Sequence, residues 1–113
     1  MDTAASHGQL EMVKWLHDNR TEGCTVEAMD WAAERGHFEV VKWLHENRTE
    51  GCTIDAMTSA ACNGHLDVAQ WLHENRSEGC SEHTYQFAVR KCQFEVAQWL
   101  DANRYSNNFI NAL

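Results

Sequence analysis

Apolar residues fall at helical spacing in two kinds of segment that alternate along the chain. In the segment 38–49, apolar residues at positions 38, 40, 41, 43 and 44 cover more than one helical stripe. This pattern predicts a helix that is buried on two sides, with Trp43 buried between its neighbours in the stack. The segment before it, Val26 to Arg35, predicts a shorter helix, with Thr25 as its N-cap and Gly36 as its terminator. His37 then connects the two helices.

The same pair of segments recurs, because Trp15, Trp43, Trp71 and Trp99 stand 28 residues apart and each is followed by leucine. A fixed period of this length is typical of stacked supersecondary units, each too small to bury its own apolar face. We therefore predict an all-α fold, an α-solenoid of about four antiparallel helix pairs in a single domain. The predicted repeats cover residues 1–23, 24–51, 52–79 and 80–104, and residues 105–113 are expected to cap the last one. The first repeat lacks the usual lead-in, which favours a piece of a longer array over a protein that starts abruptly.

The charge and the cysteine content of the sequence limit which classes of partner and which cellular compartment are expected. The chain has 17 acidic and 9 basic residues and a net charge of -8, which disfavours nucleic-acid binding. No apolar run approaches the roughly 18 residues of a membrane helix. Cys24, Cys52 and Cys80 occupy equivalent positions, so we expect them about 10 Å apart, too far for disulfides. Free thiols favour the cytoplasm or another reducing intracellular compartment.

The phrase from Ala32 to Leu44, AAERGHFEVVKWL, resembles the core of the ankyrin repeat, and residues 60–68, AACNGHLDV, carry the same phrase. The signature WLHENRTEGCT is similar to short ankyrin-like repeats that are abundant in oomycete proteins. The ankyrin unit has about 33 residues, however, and the residues missing here fall between Asn47 and Met57, where that family builds a β-hairpin finger. The resemblance therefore implies ankyrin-like helix pairs with the finger reduced to a tight Glu-Gly-Cys-Thr turn.

Two recurring groups of side chains suggest chemistry, and each has a structural alternative. Histidine and cysteine, which are zinc ligands, recur in the repeats, but residues about 10 Å apart cannot share one ion. We expect the histidines at 17, 45 and 73 to pack or hydrogen-bond near helix ends instead. The motifs that begin at Asn19, Asn47 and Asn75 match the glycosylation acceptor pattern. Their structural alternative is to close the second helix of each pair.

The sequence contains no catalytic constellation and no glycine-rich phosphate loop, so neither an enzyme nor a cofactor is expected. Recognition is the remaining class. Four positions of the first helix differ between repeats and share one helix face, while the alanines on its other side are nearly constant. We interpret the variable face as a strip that binds a protein partner of unknown identity. Its predicted residues are Asp30, Trp31, Glu34, Arg35, Thr58, Ser59, Cys62, Asn63, Gln86, Phe87, Arg90 and Lys91.

Two alternatives remain open for this strip. Its variation is also explained by neutral drift at exposed sites, in which case the chain is a spacer within a longer array. The second alternative is that the protein binds metal ions through its recurring histidines and cysteines. Trp31 and Phe87 favour recognition, because large exposed aromatic side chains are common anchors of interfaces. We expect the protein to be a monomer.

Overall fold

The computed structural model describes residues 1–19 and 25–103, and within these ranges the chain is built of eight α-helices without a strand. The helices are α1 (Asp2–Ser6), α2 (Leu10–Asn19), α3 (Val26–Glu34), α4 (Phe38–Asn47), α5 (Ile54–Cys62), α6 (Leu66–Asn75), α7 (Thr84–Arg90) and α8 (Phe94–Ala102). The all-α solenoid prediction is therefore confirmed. The expected C-terminal cap, residues 105–113, lies outside the described residues.

The helices begin where the sequence predicted and end one or two residues earlier. Thr25 caps α3, since its hydroxyl oxygen accepts a hydrogen bond from the Glu27 amide at 3.1 Å. Helix α4 ends at Asn47 rather than Thr49, and the Asn47 side-chain amide donates to the Trp43 carbonyl at 3.0 Å. Arg48 then adopts an extended backbone, with φ of -128° and ψ of 156°.

The helices form two layers. The first helices of the pairs, α1, α3, α5 and α7, pack on one another in sequence, and α4 packs between α2 and α6 in the second layer. Each second helix also packs on the first helix of its own pair. Small residues such as Ala32 and Ala60 are fully buried between the first helices. They let these helices approach closely, so the first helices present only one narrow face to solvent.

In the first three pairs, a glycine at the turn between the two helices ends the first helix and leaves room for a side chain of the next pair. Gly36 has a φ of +76°, a conformation that only glycine adopts without strain. A Cβ atom at this position would also lie 2.6 Å from Nδ1 of His65, whose ring packs over the turn. At the equivalent position of the fourth pair the chain has Cys92, which takes a φ of 61° despite its side chain.

The tryptophans of the second helices are less buried than we expected. Trp43 is only partly buried and packs against the edge of the core, while Trp15 is 52% exposed. The fully buried positions of α4 are Val40, Val41 and Leu44. The expectation that Trp43 lies fully enclosed between its neighbours is therefore wrong. The aliphatic residues fill the space between the layers, and the larger indole extends toward the rim.

Candidate protein-interaction surface

Two residues of the predicted strip, Asp30 and Thr58, form hydrogen bonds at the junctions between successive helix pairs. Asp30 is only 8% exposed. Its carboxylate oxygens accept hydrogen bonds from the backbone amide of Thr53 at 2.8 Å and from the Thr53 hydroxyl at 2.7 Å. Asp2 makes the same pair of bonds to Thr25, at 2.9 and 2.7 Å. The expectation that position 30 faces solvent is therefore wrong, because its carboxylate stabilises the N-terminus of the next first helix.

Thr58 is the third member of this junction series. Its hydroxyl oxygen accepts a hydrogen bond from the Ser81 amide at 2.8 Å, and the hydroxyl donates to the Ile54 carbonyl at 2.9 Å. Thr84 is fully buried beside it, with its hydroxyl 3.3 Å from the Thr58 hydroxyl. Asp30 and Thr58 thus hold the first helices in register.

The exposed face of the first helices carries two large aromatic side chains. Trp31 on α3 is 39% exposed and Phe87 on α7 is 40% exposed. Glu34, Arg35, Asn63, Arg90 and Lys91 are exposed on the same helices or at their ends, and Ser59, Cys62 and Gln86 are half-buried. Asn63 is partly engaged, since its amide donates to the Glu34 carbonyl at 3.0 Å. Of the twelve predicted residues, Asp30 is buried and Thr58 is half-buried with its hydroxyl engaged at the junction, and the other ten remain available at the surface.

Trp31 forms a wall shared by two grooves between successive first helices. On its α5 side lies a groove of about 390 Å³, lined by Val26, Glu27, Asp30, Trp31, Glu34, Thr53, Asp55 and Ser59. On its α1 side lies a groove of about 290 Å³, lined by Thr3, Ser6, His7, Trp31, Glu34 and Arg35. The indole can therefore contact a ligand in either groove, and it is the central feature of this face.

The comparison of the repeats missed four residues of the larger groove, Val26, Glu27, Thr53 and Asp55. Val26, Glu27 and Asp55 lie at the starts of α3 and α5. Glu27 and Asp55 occupy equivalent positions in the first turns of α3 and α5, where an acidic side chain also interacts favourably with the positive end of the helix. The usable signal was their place one turn before the variable positions, on the same helix face.

The recurring histidines and arginines form contacts between the pairs. The His17 ring meets the Trp43 ring edge-on, with 5.1 Å between the ring centroids. Nη1 of Arg48 lies 3.1 Å from Nδ1 of His17, and its Nε and Nη2 donate to the Glu50 carboxylate at 3.1 and 2.7 Å. His45, Trp71, Arg76 and Glu78 repeat this arrangement one pair later. The expectation that these histidines pack near helix ends is confirmed, and the cross-pair role of the arginines is new.

The described histidines and cysteines bear on the hypothesis of a metal-binding repeat protein. Within residues 1–19 and 25–103, no group of three or more His, Cys, Asp or Glu side chains is placed to hold a metal ion. Cys52, Cys62, Cys80 and Cys92 are free thiols. Burial and the nearby Glu78 carboxylate raise the pKa of the Cys52 thiol to about 12, which keeps it protonated near neutral pH. Burial also raises the pKa values of Cys62 and Cys80.

Comparison with models of known protein families identifies the family of this chain. The family model described as ankyrin repeats (many copies) matches residues 1–45, 29–73 and 57–100. The matches cover most of the sequence, and the chain belongs to the ankyrin-repeat family. Among curated proteins, no sequence matches it at a significant level.

The family assignment supports a general statement of function. Ankyrin repeats are typically non-catalytic modules that bind other proteins, and ankyrin-repeat proteins are commonly intracellular. Across the helices of the described ranges, none has the length and apolar character needed to span a membrane.

Proposed function

We propose that this chain acts as a single repeat domain, a monomeric and non-catalytic module that binds a partner protein across the exposed face of its first helices. The observation that carries the proposal is the position of Trp31, whose side chain is exposed between two grooves of this face. The fold does not require an indole there, because the equivalent positions carry Thr3, Ser59 and Phe87. Aromatic side chains at such sites are frequent hot spots of protein interfaces.

The free thiols support a reducing intracellular compartment as the place of action. The acidic balance of the chain argues against a nucleic-acid partner. The partner is therefore sought among intracellular proteins.

The test compares two tryptophans of similar exposure on different layers. Trp31→Ala removes the proposed anchor, and Trp15→Ala removes an indole of the second layer that is 52% exposed. Each variant is used to capture proteins from a native extract by chemical crosslinking, after circular dichroism has shown that it is folded. We expect a partner that is retained by the wild type and by Trp15→Ala, and that Trp31→Ala loses by a factor of about 30 or more, the size of a hot-spot effect.

Equal retention by the two variants would place the interface elsewhere. If no protein is retained specifically by any form, the chain acts as a spacer, and the proposal is wrong.

A further inference from the structure

We propose that the groove between Trp31 and Asp55 receives a positively charged side chain, arginine or lysine, from a basic segment of the partner protein. This inference rests on the proposed function and specifies the chemistry of the segment that docks there. It concerns the larger of the two grooves beside Trp31.

All the ionisable side chains that line the groove are acidic. Glu27, Glu34 and Asp55 line it with exposed carboxylates, and Asp30 adds a fourth acidic group at its floor. Among the described residues that line this groove, none is lysine or arginine. The carboxylates of Glu27, Glu34 and Asp55 form no ion pair with any other described residue. A cationic side chain would therefore find uncommitted carboxylates on both walls.

The walls also suit the shape of arginine and lysine. Both side chains have an aliphatic stem that packs on apolar surface and a charged end that seeks carboxylates. Val26 and the Trp31 ring provide the apolar surface in this groove. An indole face additionally attracts a cation through its ring quadrupole, most strongly for tryptophan among the aromatic residues. The combination favours a long cationic side chain over a small metal ion or a neutral one.

The far end of the same face has the opposite charge. Arg90 and Lys91 are exposed at the end of α7, two helices away from Trp31. They repel a basic segment, so a basic segment lies at the second and third helix pairs and not along the whole face. Because Arg90 and Lys91 are themselves exposed cations, the alternative occupant of the groove is one of these side chains from a second copy of the protein.

The experiment follows the five indole signals of the full chain by ¹H–¹⁵N NMR, with the Trp31 signal assigned from a Trp31→Phe variant. The probe is a blocked heptapeptide of glycine and serine with one central arginine. Its control is the same peptide with citrulline, which has nearly the same shape and no charge. We expect the arginine peptide to shift the Trp31 signal saturably. The citrulline peptide should bind at least about tenfold more weakly, which is the effect of a few exposed charge pairs.

A matched pair of variants separates the groove from the general charge of the protein. Glu34→Gln with Asp55→Asn removes two groove carboxylates, whereas Glu46→Gln with Glu74→Gln makes the same charge change on exposed sites of α4 and α6. We expect the first double variant to lose about tenfold in affinity for the arginine peptide and the second to lose little. Equal losses, equal binding of arginine and citrulline, or no saturable shift would each overturn the inference.

Two further outcomes have distinct meanings. If the Trp31 signal moves with protein concentration alone and Arg90→Ala with Lys91→Ala stops it, the groove holds a second copy and the inference is overturned. If the arginine peptide does not bind while a partner is still captured in a Trp31-dependent way, the inference fails and the proposed function stands. Loss of both results removes the proposed function as well.

Discussion

Asp30 binds Thr53 across 23 residues of sequence, with one carboxylate oxygen on the threonine amide and the other on its hydroxyl. The bond joins α3 to the N-terminus of α5, and the equivalent bond from Asp2 to Thr25 joins α1 to α3. Each carboxylate therefore stabilises a neighbouring pair and not its own helix.

Replacing Asp30 with asparagine should destabilise the fold. An amide nitrogen would then face one of the two Thr53 donors, and hydrogen bonds to charged groups contribute about 1.5–3 kcal/mol each. We expect the free energy of unfolding, measured by urea denaturation, to fall by about 1.5–3 kcal/mol. Glu46→Gln, an exposed acid-to-amide change on α4, is the control. A midpoint for Asp30→Asn equal to that of the control would contradict the junction role.

The tryptophan series should show that burial, not repeat position, determines the cost of removal. Trp43 contacts His17 and the core edge, so we expect Trp43→Ala to cost about 2–3 kcal/mol, less than for a fully buried ring. Trp15→Ala and Trp31→Ala should each cost about 1 kcal/mol or less. Thermal and denaturant melts of the three variants test this ranking. If Trp31→Ala is as destabilising as Trp43→Ala, Trp31 belongs to the core and the proposed anchor is lost.

Cys92 should be replaceable by glycine with a gain in stability. Its φ of 61° lies in the left-handed region, which costs an L-residue about 1–2 kcal/mol. Part of this gain is offset by the greater freedom of glycine in the unfolded chain, so we expect a net increase of up to about 1 kcal/mol. Cys92→Ala is the control, because alanine removes the thiol and keeps the strained backbone. A gain in the alanine variant as large as in the glycine variant would show that strain is not the cause.

The cysteines should differ widely in their rates of alkylation. With its pKa raised to about 12, Cys52 holds very little thiolate at pH 8.5, and its side chain is buried. Cys92 is exposed at the end of α7. Peptide mapping after brief iodoacetamide treatment should find Cys92 modified on the order of a hundred times faster than Cys52, since the thiolate is the reactive form. In denaturant the two rates should become similar. Rapid modification of native Cys52 would contradict its burial.

The repeat period and the capping residues were enough to predict the helices. Thr25 and Gly36 mark the start and end of a first helix because each has a local function: a side-chain cap in one case and a positive φ in the other. The end of the second helix was placed too late, at Thr49. Helix α4 ends where Arg48 adopts an extended backbone, and the sequence there contains no strong helix breaker that would mark this change.

The junction role of Asp30 could not be recognised from the differences between repeats, because the residue at this position changes together with the residue to which it is hydrogen-bonded. The junction uses aspartate where the partner is Thr25 or Thr53, and Thr58 where the partner is Ser81. The bonded residue lies 23 positions later in the sequence, whereas a helix pattern relates residues only three or four positions apart. The coupled change of the two residues therefore looked like neutral variation at a surface position. Trp31 differs in that its exposure follows from the fold, whereas the grooves beside it depend on how the neighbouring first helices pack.

The third junction has a consequence for how the protein opens. Where the first two junctions hold a carboxylate against a helix N-terminus, Thr58 offers only a neutral hydroxyl, and the residues beyond it form a separate small core of Ala61, Ala88, Val96, Ala97 and Leu100. Neutral hydrogen bonds are roughly half as strong as charged ones. The fourth pair is therefore the segment most easily detached, and amide hydrogen exchange should be fastest in α7 and α8 and slowest in α3 and α5. A chain built of near-identical units would then unfold from one end, with the groove beside Trp31 still intact after that end has opened.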